Sequence, residues 1–170
     1  DISRTFPVNG KFSDEQTALY QLVLDAQYAA CNAVKPGSAF ATVTAAAEQV
    51  LTEGLLGLGI LQGELSQLVA DKACKQYFIH GIGHWLGLDV HDVGAYKVAR
   101  PDGEMAEQPF LTIEPGLYIP SGSPTEQRWW DLAVRIEDNL LLTADGHENL
   151  TTAVPKEIDA IEQLMATANG

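Results

Sequence analysis

Apolar positions recur at helical spacing near the start of the chain. The stripe consists of Leu19, Leu22, Val23, Ala26 and Ala30. A repeat of three and four residues places such positions on one face of an α-helix, where they can pack against a core. Ser13 and Gln16 precede the stripe with the spacing of a capping box, in which each side chain bonds to the other residue's backbone N–H. We predict a helix from Ser13 to a stop at Lys35-Pro36-Gly37.

Three more helical segments are predicted from similar patterns. An Ala-rich stretch predicts a helix over 39–56 with Ser38 as its cap, and a short helix is expected from Glu64 to Ala73. Proline is favoured at the first position of a helix. The last helix is therefore predicted to begin near Pro155 and to run to about Ala168.

The middle of the chain has a different character. Between Tyr77 and Asn139 it is rich in glycine, proline, aromatic and β-branched residues, which favours strands separated by turns. The predicted strands are 76–80, 110–118 and 132–142, the predicted turns are Asn9-Gly10, Pro101-Asp102-Gly103 and Pro120-Ser121-Gly122, and residues 1–12 are predicted to be extended. Helices followed by antiparallel-looking strands and a final helix indicate an α+β fold.

Composition narrows the function classes. The 170 residues suit one domain, and 46% hydrophobic with 19% charged residues is a globular composition. Ten basic residues against 23 acidic ones give a net charge of −13, which argues against nucleic acid or an anionic membrane surface as a partner. Apolar runs stay short of the roughly 20 residues that span a bilayer. Cys31 and Cys74 are interpreted as buried free thiols, which favours a reducing, cytoplasmic location.

Three of the four histidines, His80, His84 and His91, lie within twelve positions of one another. Gly81 and Gly83 make a helical pair of ligands unfavourable, and the Glu of an H-E-x-x-H zinc helix is absent. A glycine-loosened strand or loop is expected instead. Clustering of this kind favours acid–base or metal chemistry over three ordinary hydrogen-bonded histidines.

Two carboxylates stand out on the predicted strands. Glu114 ends a strand where Pro115-Gly116 turns the chain, and alternation puts Arg135 and Glu137 on one face of another strand. Taken singly, each could be a solvated surface residue. Together with one imidazole they form a set of hard donors that suits Mn²⁺, Co²⁺, Fe²⁺ or Zn²⁺. A phosphate loop, a Ser-x-x-Lys pair and a Gly-x-Ser-x-Gly elbow are all absent from the sequence.

These motifs resemble those of the bacterial Xaa-Pro aminopeptidase (aminopeptidase P) family. Its members are metallopeptidases with the pita-bread fold, which is shared with prolidase, methionine aminopeptidase and creatinase. The resemblance is carried by residues 1–12, 80–94, 112–119 and 135–139. It implies that residues 1–170 are the C-terminal part of a catalytic domain, without the upstream part of the pita-bread and an N-terminal domain.

The resemblance also implies a ligand set. The family binds two divalent metals through two Asp, one His and two Glu. Here they correspond to Asp1, His84, Glu114 and Glu137, and the remaining family Asp would lie upstream of Asp1. Asp1 and Glu137 resemble the bridging carboxylates, while His84 and Glu114 resemble ligands of one metal. Manganese is expected, with cobalt, zinc or iron as alternatives, and one of the two sites is expected to be incomplete.

The implied reaction is metal-assisted hydrolysis of the bond before a proline in the second position of a peptide. Glu114 would move the proton, His91 would stabilise the oxyanion, and His80 would contact substrate. Arg135 matches an arginine that supports the metal carboxylates.

Two other functions remain open at this point. Prolidase shares the ligand set, but the 23 positions from Glu114 to Glu137 resemble aminopeptidase P. A non-catalytic peptide-binding module is disfavoured because the four residues that match metal ligands remain, and the same set disfavours creatinase. The sequence Glu107-Gln108-Pro109-Phe110 departs from the family pattern and leaves that local turn open.

Two expectations concern residues 1–170 as a piece of such an enzyme. Peptidase activity is expected to be weak or absent, because one metal ligand is missing. Unpaired sheet edges predict self-association or a companion chain.

Overall fold

The computed structural model describes residues 1–93 and 110–168. Its helices are α1 (Asp14–Ala33), α2 (Phe40–Gly57), α3 (Leu65–Ala70) and α4 (Ile158–Ala168), and short 3₁₀ turns span Ala73–Gln76 and Gln127–Trp129. The strands are β1 (Phe110–Ile113), β2 (Gly116–Ile119), β3 (Leu132–Arg135), β4 (Asp138–Thr143) and β5 (Gly146–Asn149). This order confirms the α+β class.

The strands form two small antiparallel sheets, β1-β4-β5 and β2-β3. The registers Ile113↔Asp138 and Gly116↔Arg135 show that one sheet continues into the other after an interruption of two residues on each side. Each long strand predicted over 110–118 and 132–142 is therefore two strands. Pro115 has no N–H to donate to a ladder, and its carbonyl accepts a single bond from Ile136 N at 3.3 Å. We call Glu114-Pro115 and Ile136-Glu137 the paired break.

Helix α1 bears out the capping prediction. Ser13 and Gln16 form both bonds of the capping box, and every residue of the predicted apolar stripe is buried. The helix packs against α2 on one side and against both sheets on the other. The core between them includes the strand residues Leu111, Ile113, Leu117 and Leu140. Full burial of one such side chain stabilises a fold by roughly 1.5–3 kcal/mol.

One predicted strand is absent, and one predicted helix cap was wrong. Residues 76–80 form no strand, because Ala73–Gln76 is a 3₁₀ turn and the N–H groups of Tyr77 and Phe78 bond back to Cys74. Ser38 is not the cap of α2. Its N–H closes a turn onto the Lys35 carbonyl, and Ala39 occupies the cap position without a side-chain bond.

Differences also occur towards the C-terminal side. Strand β5 was not predicted, and α4 begins at Ile158, three residues after Pro155. The carbonyls of Val154 and Pro155 accept from the Arg4 guanidinium at 3.0 Å each, which diverts them from a helix. Turns closed by Gly10 N to Pro7 O and by Ser123 N to Pro120 O confirm two turn predictions. The turn predicted at 101–103 and residues 107–109 lie outside the described residues.

Both cysteines are buried free thiols, as predicted. Burial raises the pKa of Cys31 to about 12. Within residues 1–93 and 110–168, no helix has the length and apolar character needed to cross a bilayer.

Candidate metal centre

The segment that carries His84 lies against β1 as an irregular strand. Thr112 N donates to His84 O at 2.8 Å, His84 N donates to Thr112 Oγ1 at 3.0 Å, and Trp85 forms a single bridge with Leu111. A Cβ at position 83 would overlap the carbonyl oxygen of Thr112, so only glycine permits this approach. The expectation of a glycine-loosened strand or loop is confirmed, and Gly83 brings His84 against the paired break.

The His84 ring has a defined orientation. Its Nδ1 lies 3.0 Å from the Trp85 carbonyl oxygen, which can only accept a hydrogen bond. In the neutral ring, Nδ1 therefore holds the proton and Nε2 presents a lone pair. This arrangement, a backbone carbonyl behind one nitrogen and a free lone pair on the other, is the usual one for a metal-ligating histidine.

Three carboxylates surround that lone pair. His84 Nε2 lies 3.3 Å from Asp1 Oδ2, 3.5 Å from Glu114 Oε1 and 3.9 Å from Glu137 Oε1. We call these four residues the His84 group. The structure thus brings together the four residues that the sequence analysis singled out as ligands, from four separate segments of the chain.

The N-terminal segment is attached to the paired break. Glu137 N donates to Ser3 O at 3.0 Å, and Ser3 Oγ donates to Glu137 Oε2 at 2.6 Å. The bridge between Ser3 and Glu137 bears out the prediction of extended chain at this point. Because Asp1 is only two residues from Ser3, this bridge also keeps Asp1 close to His84.

The donor set fits a divalent cation. Among the described residues, His84 Nε2 and Glu137 Oε1 have no hydrogen-bond partner, although both atoms are buried. Native proteins rarely leave buried polar atoms unpaired, because each costs about 1–3 kcal/mol. Burial and the neighbouring Glu137 carboxylate also raise the pKa of Glu114. A cation bound by one imidazole and several carboxylate oxygens would satisfy these atoms and their negative charge.

His91 and His80 have different positions. The His91 ring is exposed, and its centroid lies 4.3 Å from that of His84, so it can join Asp1 and His84 around one point. His80 lies in neither ligand grouping of the described residues. Its Nδ1 lies 2.8 Å from Gly81 O and its Nε2 lies 3.0 Å from the Tyr118 hydroxyl, and burial lowers its pKa.

Arg135 lies beside Glu114, one of the carboxylates of the His84 group. Its Nη1 is 3.7 Å from Glu114 Oε2, and its Nε donates to the Tyr118 hydroxyl at 2.7 Å. Among the described residues, Arg135 forms no ion pair with Glu137. Strand β3 ends at Arg135, and in the paired break that follows Glu137 Oε2 accepts from Ser3 while Oε1 faces His84. The predicted alternation holds here, because Val134 and Ile136 are buried, and support of the metal carboxylates by Arg135 stays a prediction.

Tyr118 was missed by sequence reasoning. Its hydroxyl joins His80 to Arg135, and Arg135 in turn reaches Glu114. A Cβ at Gly116 would come within 2.8 Å of that hydroxyl and 3.2 Å of His80 Nε2, so a glycine is needed to leave room for the contact. The alternation Glu114, Gly116, Tyr118 was a usable signal, because residues two apart on extended chain share a face.

Similarity to known proteins identifies the family to which this chain belongs. The sequence profile of metallopeptidase family M24 matches residues 1–144, and the chain belongs to this family. A Xaa-Pro aminopeptidase of Haemophilus influenzae is 46% identical over 165 residues, which cover 97% of this chain and 38% of that protein. The chain thus spans about two fifths of the relative's length.

Solved structures agree with this assignment. Pseudomonas aeruginosa aminopeptidase PepP is 46% identical, with a TM-score of 0.92 over 99% of this chain and 38% of that chain. Escherichia coli aminopeptidase P, solved with the inhibitor Pro-Leu and, zinc-substituted, with product, is 42% identical with the same TM-score and the same coverages. The pita-bread fold expected from the resemblance is confirmed, and this chain forms part of that domain.

Proposed function

We propose that the protein containing this chain is a metal-dependent aminopeptidase that cleaves an N-terminal residue from a following proline. The observation that carries the proposal is the pair of buried, unpartnered ligand atoms, His84 Nε2 and Glu137 Oε1, facing Asp1 and Glu114. Membership of a metallopeptidase family and the printed names of the relatives support the reaction class.

Asp1, His84, Glu114 and Glu137 would hold the metal. A divalent cation there supplies a Lewis acid and lowers the pKa of a water molecule. Manganese is the proposed ion, with cobalt, zinc or iron as alternatives. A zinc-substituted structure of the E. coli relative supports divalent metal in the family.

Residues of the chain have separate roles in this proposal. Glu114 faces His84 with one oxygen and Arg135 with the other, which suits a group that accepts and returns a proton. His91 is exposed beside the His84 group, where a substrate carbonyl can approach and its developing charge can be stabilised. His80, held by Tyr118, would contact substrate at the other side of Glu114.

We also propose that residues 1–170 are the C-terminal part of the catalytic domain. The chain covers 38% of the length of two relatives, and in this proposal the remainder would carry a further Asp ligand and the side of the site that receives the substrate's amino group. Residues 1–170 alone are then expected to show weak turnover or none. The proposal includes peptides with proline in the second position as substrates, a cytoplasmic location, and self-association or a companion chain.

The test compares two substrates with the full-length protein loaded with Mn²⁺. Release of the first residue from a tripeptide Xaa-Pro-Yaa, with little action on a dipeptide Xaa-Pro, is the expected result. The reverse preference would identify a prolidase. Absence of both Mn²⁺ uptake and hydrolysis would favour a peptide-binding module and reject the proposal.

A further inference from the structure

Asp138 directly follows Glu137 and is completely buried. Its carboxylate accepts hydrogen bonds from five side chains. Oδ1 accepts from Arg4 at 2.7 Å and from Thr151 at 2.8 Å, and Oδ2 accepts from Gln27 at 2.9 Å, Asn149 at 2.8 Å and Lys156 at 2.7 Å. We call these six residues the Asp138 cluster. It joins the N-terminal segment, α1, the end of β5 and the approach to α4.

Arg4 connects this cluster to two ligand-bearing segments. Its Nη2 donates to Asp138, while its Nη1 donates to the backbone carbonyl of Glu137 at 2.6 Å and to that of Ser3 at 3.0 Å. Ser3 in turn bonds to Glu137 through both its hydroxyl and its carbonyl. One planar guanidinium therefore fixes the backbone that carries Glu137 relative to the backbone that carries Asp1.

We propose that Asp138, acting through Arg4, is a positioning residue that sets the Asp1 and Glu137 carboxylates around His84 for metal binding. The inference rests on the metal site proposed above. None of the cluster's bonds reaches the unpartnered oxygen of Glu137, so the cluster can orient this ligand without competing with a cation for it. Partners behind a ligand commonly change metal affinity by about 10–100-fold.

The test measures Mn²⁺ affinity by the EPR signal of free Mn²⁺, on the full chain and at a temperature where circular dichroism shows each variant to be folded. Asp138→Asn keeps the shape of the side chain and is expected to weaken Mn²⁺ binding about tenfold or more. Asp145→Asn, the same change in the exposed turn between β4 and β5, is the matched control and is expected to bind as the wild type does.

A second variant guards against a failure of Asp138→Asn to fold. Arg4→Lys keeps the charge, but a lysine cannot bond Asp138 and the Glu137 carbonyl at once with a fixed fork. We expect a similar loss of affinity, with Arg128→Lys at an exposed position as its control. Because both residues act along one connection, the double variant is expected to lose less than the two single losses added together.

The outcomes separate this inference from the proposed function. Wild-type protein that takes up no Mn²⁺ would reject the metal site and the positioning role with it. Wild-type binding, together with folded Asp138→Asn or folded Arg4→Lys that binds within twofold of wild type, would overturn only the positioning role. In that case Asp138 stabilises the fold alone, and a lower unfolding temperature would be the sole effect.

Discussion

Glu137 and Asp138 are consecutive, buried carboxylates with opposite surroundings. Glu137 is 2% exposed and leaves Oε1 without a hydrogen bond to any described residue, whereas Asp138 is 0% exposed and accepts from five donors. Burial is therefore the same, and only the saturation of the oxygens differs. A buried carboxylate whose partners are complete holds structure together, while one with an oxygen left over points to a ligand.

The His84 group and the Asp138 cluster also differ in how tightly their carboxylates hold a proton. Burial and the neighbouring Glu137 raise the pKa of Glu114. Burial alone would also raise the pKa of Asp138, but hydrogen bonds from Lys156, Asn149, Thr151 and Arg4 lower it well below its usual range. Three carboxylates of the His84 group thus have one arginine beside them, Arg135, whereas the single carboxylate of the Asp138 cluster is matched by two cations.

The largest effect is expected when the Asp138 cluster is broken. Asp138→Ala leaves Arg4 and Lys156 without their shared carboxylate in positions that are only 11% and 13% exposed. Loss of one partner from a buried ion pair costs about 3–5 kcal/mol. Urea unfolding is expected to show this decrease in the free energy of unfolding, while Asp145→Ala in the exposed turn changes it little. A decrease below about 1 kcal/mol would mean that the cluster contributes only as an ordinary hydrogen bond does.

The second largest effect is expected from a change at Glu137, the carboxylate with an unpaired oxygen. Glu137→Gln keeps the shape of the side chain, so the metal-free protein is expected to stay within about 1 kcal/mol of wild-type stability. Mn²⁺ affinity, measured by isothermal titration, is expected to fall about 100-fold, the upper end of effects seen even for residues behind a ligand. The matched control is Glu148→Gln on the exposed side of β5. Equal metal affinity in Glu137→Gln would contradict the assignment of Glu137 as a ligand.

A smaller effect tests how His84 reaches the carboxylates. Gly83→Ala forces the His84 segment away from the Thr112 carbonyl, and overpacking of this kind costs about 1–3 kcal/mol. Weaker Mn²⁺ binding should accompany the loss, because His84 moves with the segment. Gly57→Ala is the control, since a Cβ there meets no atom within 4 Å. If both alanine variants have the same stability and metal affinity, the close approach of Gly83 is not needed.

The smallest effect is expected at Cys31, which lies next to the Asp138 cluster. Cys31 accepts a hydrogen bond from Gln27, which also bonds Asp138, and burial raises the Cys31 pKa to about 12. Iodoacetamide is expected to label this thiol slowly at pH 8 in the folded protein and rapidly in urea, as mass spectrometry of the peptides would show. Because the folded state holds this proton more tightly than the unfolded state, its contribution to stability is complete below about pH 8.5 and is lost as pH rises towards 12. Equal labelling rates in the two states would contradict the burial.

Local features of the chain were predictable from sequence. The capping box and apolar stripe of α1 involve neighbours in the chain, and Glu114 stood out because Pro115-Gly116 ends its strand. The family resemblance then joined Asp1, His84 and Glu137 to it. All four lie close together, although spacing alone could not have placed Asp1 beside Glu137.

Features that depend on distant contacts were not predictable. Gln27 and Arg4 bond Asp138 across 111 and 134 positions of sequence, and no periodicity encodes such a pairing. The start of α4 was misplaced for the same reason, because Arg4 captures the carbonyls of Val154 and Pro155. The false strand at 76–80 arose because β-favouring composition was outweighed by the 3₁₀ turn before it.

The paired break means that the β2–β3 hairpin begins and ends beside the His84 group. Glu114 stands where the chain departs and Glu137 where it comes back, while Ser121 and Gly122 lie exposed at the far end. The separation of the two glutamates is set by β1 pairing with β4, which does not involve the tip. Residues can thus be added at this tip without altering the spacing of the two glutamates, so the hairpin offers a place for the domain to acquire new contacts while the His84 group stays unchanged.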